Sequence, residues 1–313
     1  MESKNEFVRV GSCILDNLSK NSNSTYLEPC IQINSGIPGP HLILAGGTHG
    51  NELVGPMTIE ELFTYFNRGI GYLKRGKITM FISNPDALRK GERFLDYDLN
   101  RVFKSEEGES KEFMRSLEIK KFLSTLDVDN EETYLLDLHS VTQGDFTFVA
   151  YPKKSKDMTD LTKKISPIKR HFIFNEKDVD GTLIEYAKDL GIYSVALECG
   201  NHYSESTINV AISNINNFLE EFSMIDENGG YPIETNKVED LDSICVYESF
   251  RKIPPGIRFY KDNVKSEDFY YKGEKIGEVD GEDFIAPKDC YLVMPNPNTT
   301  KENNDAGFLS IRY

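Results

Sequence analysis

The chain has no tryptophan, and no apolar run in it approaches the ~20 residues needed to cross a bilayer. Its start, Met1-Glu-Ser-Lys-Asn-Glu-Phe7, lacks a basic stretch followed by an apolar one, so no secretory signal is read and the cytoplasm is the expected address. Positive charge is in short supply: 36 basic residues face 51 acidic ones, a formal net charge of −15. Such a field repels phosphate backbones and anionic lipid heads, which argues against nucleic-acid and membrane partners. An anionic substrate would then need a locally positive cleft, so clustered arginines carry information. The five cysteines are odd in number and scattered, with no C-x-x-C pair, as expected of reduced thiols and not of a disulfide frame or zinc knuckle. Histidine is also scarce, five in all.

What is present is ordinary globular composition, 39% hydrophobic and 28% charged, over 313 residues, enough for one large domain and a smaller one. In the first two thirds short apolar runs alternate with amphipathic helical patterns, so the expected class is α/β, a mixed sheet flanked by helices. Strands are expected over residues 41–45, 77–83, 134–139, 146–151 and 192–198, and helices over 56–68, 116–126, 182–190 and 206–224. In the last of these Ile208, Ile212, Ile215, Leu219 and Phe222 recur at steps of three and four. Beyond Asp226-Glu-Asn-Gly-Gly230 the segments become short, rich in β-formers and broken by Pro and Gly. A boundary near Gly229 therefore divides an α/β domain, 1–228, from a smaller all-β C-terminal module, 229–313. The Asn/Thr-rich stretch 296–304 reads as a mobile loop.

Three segments, together with the strand 135–139, carry candidate chemistry. Gly46-Gly-Thr-His-Gly-Asn-Glu52 follows a buried strand and precedes a helix, at the carboxyl end of a strand where ligands gather in open α/β sheets. His49 and Glu52 are three apart, so a coil of helix there lets imidazole and carboxylate converge on one ion. By itself H-x-x-E is a weak signal. A phosphate-cradling turn is the alternative, although no Gly-Lys-Ser/Thr follows and no G-x-G-x-x-G is present. His139 ends the apolar strand Leu135-Leu-Asp-Leu-His139 and is a candidate third ligand; two His and a carboxylate are a set used by hydrolytic zinc sites. Asp137, on the same strand face, is placed to orient a ligand imidazole. The second segment, 84–103, is polar yet interleaved with Leu95, Leu99, Val102 and Phe103, as expected of a loop pinned to the core. Its Arg93, Asn100 and Arg101 could supply the local positive charge and grip carboxylates; a solvated basic turn paired with Glu92, Asp96 and Asp98 is the alternative. In the third, Glu198 ends the strand Val195-Ala-Leu-Glu198, where desolvation raises a carboxyl pKa and suits it to a general base, or to facing a cation. His41 and His171 read as structural, and His202 is near enough to Glu198 to line a cleft.

Taken together, these pieces resemble the succinylglutamate desuccinylase/aspartoacylase family of the zinc carboxypeptidase clan: Gly47-Thr-His-Gly-Asn-Glu52, Asn84-Pro85 through Arg93, Asp98-Leu-Asn-Arg101, Asp137-Leu-His139 and Leu197-Glu198, in the family's order. The tail is similar as well, at Ile276-Gly277, Ala286-Pro287, Met294-Pro295 and Gly307-Phe-Leu309. The resemblance implies one Zn²⁺ per chain held by His49, Glu52 and His139. It implies Glu198 as the base that activates water and later protonates the leaving amine, and Arg93 as the group that polarises the scissile carbonyl. Asn100 and Arg101 would clamp a substrate carboxylate. Lys188 stands where aspartoacylases place a substrate-binding arginine, and a lysine cannot form the same fork; residues 296–304 hold no counterpart of their C-terminal tyrosine. The C-terminal module would partly cover the cleft.

The function so implied is hydrolysis of a small, anionic N-acyl amino acid, N-acetylaspartate- or N-succinylglutamate-like. A zinc carboxypeptidase acting on short peptides and a non-catalytic binding protein on the same fold are the alternatives. Association into a homo-oligomer stays open.

Overall fold

The computed structural model describes residues 2–313 apart from 130, 143–145, 153–161, 163–165, 167, 205, 228, 234–243 and 299–305. Its spine is an eleven-stranded mixed sheet. The strands are β1 (Cys30–Asn34), β2 (His41–Gly46), β3 (Lys77–Ile82), β4 (Thr133–Val141), β5 (Thr147–Pro152), β6 (Arg170–Phe174), β7 (Tyr193–Asn201), β8 (Cys245–Lys252), β10 (Phe269–Tyr270), β13 (Cys290–Val293) and β14 (Phe308–Arg312). They lie in the order β1-β3-β2-β4-β7-β5-β6-β8-β14-β13-β10. At the centre β3, β2, β4 and β7 run parallel, and β5 enters antiparallel to β7. A small second sheet is formed by β9 (Arg258–Phe259), β11 (Lys275–Val279) and β12 (Glu282–Ile285).

The parallel strands are covered on both faces, and their sequences say why they read as unbroken apolar runs. In β2, Leu42 and Leu44 point into one core layer, while Ile43 and Ala45 point into the other. The first layer packs helices α1 (Glu2–Lys20), α2 (Val54–Asn67) and α6 (Ser206–Glu221), through Leu15, Leu62, Ile215 and Phe218 among others. The second packs α4 (Lys111–Leu123) and α5 (Leu183–Asp189), through Ile119, Leu123, Leu183 and Ala187. The alternation matters for function. On β4, Tyr134, Leu136 and Leu138 belong to the first layer and Leu135 to the second. Asp137 and His139, at steps of two from Leu135, therefore face the α4/α5 side.

All nine strands and helices expected from the sequence are present within a few residues of their forecast ends. The 84–93 segment, expected as a loop, contains the short helix α3 (Pro85–Lys90), capped by the Asn84 side chain and closed by Gly91 at φ +60°. The C-terminal region is strand-rich, with a core of its own around Ile253, Ile276, Phe284, Leu292 and Leu309. Four of its strands extend the main sheet beyond β6, beginning with β8 parallel to β6. Of the loop expected at 296–304, residues 299–304 lie outside the described residues.

His41 and His171 are fully buried structural histidines, in β2 and β6. His41 bonds Thr79 Oγ1 through Nε2 at 2.8 Å, and burial, aided by nearby Lys77, lowers its pKa to about 3. The unfolded chain protonates this imidazole near pH 6.5 and the native one does not, so its contribution falls as pH drops below about 6.5. Between pH 7.5 and pH 5, urea denaturation of the parent should lose about 2 kcal/mol more than that of His41→Gln. Equal losses in the two proteins would mean that His41 titrates normally.

Candidate metal centre

At the carboxyl end of β2 the chain turns sharply. Gly47 adopts φ +65°, and a Cβ on Gly50 would sit 2.2 Å from the Ala87 carbonyl carbon, so glycine alone lets this loop pass against α3. The turn closes with Glu52 N–H donating to His49 O at 3.1 Å, before α2 begins at Val54. His49 and Glu52 thus converge through a turn ahead of the helix and not through a coil of it.

His139, at the end of β4, meets them. Glu52 Oε1 lies 2.9 Å from His49 Nδ1, and Oε2 lies 3.1 Å from His139 Nδ1 while accepting the Ser140 N–H at 3.0 Å. One ligand atom from each of the three residues falls within 4.8 Å of the others. The outward nitrogens face carboxylates too: His49 Nε2 is hydrogen-bonded to Asp98 Oδ1 at 3.2 Å, and His139 Nε2 lies 2.9 Å from Asp137 Oδ2 as a charge contact outside hydrogen-bond geometry. Asp137 in turn accepts the Thr48 hydroxyl at 2.7 Å. Each imidazole thus has Nδ1 towards Glu52 and Nε2 towards a buried aspartate, the arrangement that orients histidine ligands. Burial pushes the Glu52 carboxyl up, but His49 and His139 outweigh it and hold the pKa well below the usual range. His139 responds in the opposite sense, with burial outweighed by Asp137 and Glu52 so that its pKa is raised. The donor set of two Nδ1 atoms and a carboxylate, converging in a pocket rich in buried carboxylates, fits a divalent cation.

Glu198 sits beside this triad through strand register: it is the β7 residue paired with His139 of β4, and Phe148 of β5 is its neighbour on the other side. Its carboxyl is buried, and Oε2 has no hydrogen-bond partner among the described residues. Burial first, and the nearby Glu52 charge as well, push its pKa up to about 7 against the pull of His139, His49 and Arg93. Arg93 approaches from the 84–103 segment, with Nη1 3.6 Å from Glu52 and Nη2 3.2 Å from Asp98.

These residues open into a cavity of about 890 Å³ that Arg93, Asn100, Arg101, His139 and Glu198 all line. Asn100 is pinned there, its Oδ1 accepting the Leu183 N–H at 2.9 Å. Lys188 is the exception. It lies in the last turn of α5, 4.0 Å from Asp189, one turn (~6 Å) beyond the cavity-lining Ile184; the structure does not bring it to the cavity. Sequence reasoning passed over Arg170, a buried arginine at the start of β6 that lines the far wall and pairs with Glu267 at 3.2 Å. Its neighbours Lys163, Lys164 and Lys169 make it look like part of a solvated basic run. His202 bridges the hydroxyls of Ser140, at 2.7 Å, and Thr142, at 3.1 Å.

Residues 38–222, more than half of the chain, match the family model of the succinylglutamate desuccinylase/aspartoacylase catalytic domain. A succinylglutamate desuccinylase from Pseudomonas fluorescens (strain Pf0-1) is 31% identical over 121 residues, 37% of this chain and 36% of that protein. A probable aspartoacylase from Acaryochloris marina is 32% identical over 114 residues, 32% of this chain and 35% of that protein. The matched stretch thus spans about a third of the length of these curated relatives. Among solved structures, a succinylglutamate desuccinylase from Vibrio cholerae superposes with a TM-score of 0.70 at 16% identity, covering 90% of this chain and 85% of that one. The ectoine utilization protein EutE (DoeB) from Ruegeria pomeroyi gives 0.66 at 15%, covering 90% and 88%. At these identities the superpositions speak for the fold alone.

The geometry makes a direct prediction for metal content. After dialysis and mass-spectrometric metal analysis, His139→Ala and Glu52→Gln should retain less than about a tenth of the parent's divalent ion, with the circular dichroism spectrum kept. His202→Ala, which touches no proposed ligand atom, should retain it. Stoichiometric metal in His139→Ala would remove that residue from the ligand set.

Proposed function

Because the chain belongs to the succinylglutamate desuccinylase/aspartoacylase family, we propose that it hydrolyses the amide bond of a small N-acyl amino acid with one zinc ion held by His49, Glu52 and His139. The observation that carries this reading is the pairing of the His–Glu–His triad with a buried carboxyl on the adjacent strand. When bound, zinc would act as a Lewis acid, polarising a carbonyl and bringing the pKa of water towards ~7.

The protein's own groups do the rest. Glu198 takes the proton of the attacking water at Oε2 and returns it to the leaving nitrogen, a role suited to a carboxyl whose pKa burial raises. Arg93 donates to the oxygen on which negative charge develops, from a position already fixed by Glu52 and Asp98. Asn100 and Arg101 hold a carboxylate of the substrate, Asn100 through its Nδ2, since its Oδ1 is engaged by Leu183. Residues 263–267, 294–296 and 307–308 form part of the cavity wall, which supports a C-terminal module, from 229 onward, that partly covers the cleft and favours small substrates over long peptides. N-succinylglutamate and N-acetylaspartate are the first candidates, in view of the relatives' names. Among the described residues no helix is long and apolar enough to cross a membrane. With the acidic net charge, a small anionic metabolite in the cytoplasm is the partner this reading favours, and not a membrane or nucleic acid.

The test is a hydrolysis screen over acetyl, succinyl and formyl derivatives of Asp, Glu, Arg and Lys, with short peptides alongside, read as released amine. At least one N-acyl amino acid should be turned over faster than any peptide. Glu198→Gln should lower kcat by roughly 10²- to 10⁴-fold while zinc stays bound. Unchanged rates in that variant would sink the assignment of the base.

A further inference from the structure

We infer that Glu112, remote from the cavity and outside every role assigned above, is the positioning residue that sets the Arg93–Asp98 loop against the metal centre. The inference rests on the metal-site reading of the preceding section, but not on any choice of substrate.

Glu112 is the second residue of α4 and only 1% exposed. A carboxylate buried so deeply must have its lone pairs satisfied. Oε1 accepts the Leu95 N–H at 2.7 Å and the Asn84 amide at 3.3 Å. Oε2 accepts the N–H groups of Asp96 and Tyr97, both at 3.1 Å. Three consecutive backbone donors thus converge on one anion, and the chain at 95–97 is wrapped round it as a nest. The loop returns the contact, Asp96 accepting the Lys111 N–H at 2.9 Å at the start of the same helix.

The wrapped turn separates the two residues of this loop that touch the metal cluster. Arg93, before it, reaches Glu52 and Asp98, and its carbonyl accepts the Gly50 N–H at 3.1 Å. Asp98, after it, holds His49 Nε2. Through Asn84 the same carboxylate also reaches the other half of the site, because Asn84 N–H donates to Gly47 O at 3.1 Å in the turn that carries His49. The helix behind Glu112 is fixed in its turn by Arg115, which donates to the carbonyls of Ser83 at 2.8 Å and Ile82 at 2.7 Å at the end of β3. Glu112 therefore refers both loops to the rigid rim of the sheet. A carboxylate is required because four donors need two acceptor oxygens. Glutamine, the same in shape, would turn an NH₂ group against two of the N–H groups.

The experiment compares the parent, Glu112→Gln, Asp98→Asn and the double variant. Zinc affinity is read by competition with a chromophoric chelator, and amide hydrogen exchange is read on the metal-free proteins. Glu112→Gln should weaken zinc binding by about tenfold, the lower end of what loss of ligand-orienting groups costs. It should also speed exchange at residues 95–97 selectively. In the Asp98→Asn background the same change should cost clearly less than in the parent, because one of its routes to the ligands, the one through Asp98 to His49, is already cut while those through Asn84 and Arg93 remain. A full tenfold cost in both backgrounds, or exchange at 95–97 as slow as in the parent, overturns the inference. If Glu112→Gln does not fold, Glu112→Asp, which keeps the charge but shortens the reach, should show the same coupling at smaller amplitude. A parent that binds no zinc defeats the metal reading itself, while the exchange result still judges the anchor; a screen without hydrolysis defeats the amidohydrolase reading and leaves both intact.

Discussion

Four carboxylates, those of Glu52, Asp98, Asp137 and Glu198, are buried within one cluster, and the rest of the site is arranged around the cost of keeping them there. Removing a single carboxylate from water is expensive unless it is paired or hydrogen-bonded. Here His49 and His139 are each sandwiched between two of them, Arg93 leans on two, and Glu198 meets the same pressure by holding its proton to a higher pH. The fit of such a cluster to a doubly charged ion rests on this imbalance as much as on the donor geometry. The raised Glu198 pKa and the depressed Glu52 pKa are two outcomes of the same crowding, separated by which carboxylate has imidazoles on both oxygens.

Much of this was legible in the chain, for reasons that differ by residue. The parallel strands are buried on both faces, so 41–45 and 134–139 stand out as apolar runs, and a polar residue ending such a run is conspicuous. That exposed His139 and Glu198 as candidates before their neighbours were known. His49 and Glu52 stand out as a short motif, but the sequence does not distinguish the route by which they meet, because a glycine-rich turn and the first turn of a helix place residues three apart at similar separations. The residues that escaped detection share another trait. Arg170, in a lysine-rich stretch, and Glu112, at the start of an amphipathic helix, belong to compositions in which charged residues are commonly solvated, and burial is a property of the packing partner. Lys188 shows the converse error. Its distance from Glu198 along the chain fitted a family pattern, yet α5 carries it a turn past the cavity.

The two core layers divide labour. The layer under α1, α2 and α6 is built of aliphatic and aromatic side chains, with Leu15, Leu62, Ile215 and Phe218 filling the space against Leu42, Leu44 and Leu136. The opposite layer contains the acid–imidazole cluster and opens into the cavity. The sheet thus backs the candidate metal centre on one side, while C-terminal segments line the cavity on the other.

Because His139 and Glu198 are paired rung for rung across β4 and β7, their spacing is set by backbone hydrogen bonds and not by side-chain packing. A strand alternates sides with every residue, so inserting or deleting one residue within β7 would swing the carboxylate through the sheet into the hydrocarbon layer beneath α6, and would bring Leu197 or Cys199 into the cavity in its place. Length changes in this strand are therefore tolerable only in pairs. Length variation is accommodated instead in the loops beyond its ends, where it leaves the His139–Glu198 rung in place.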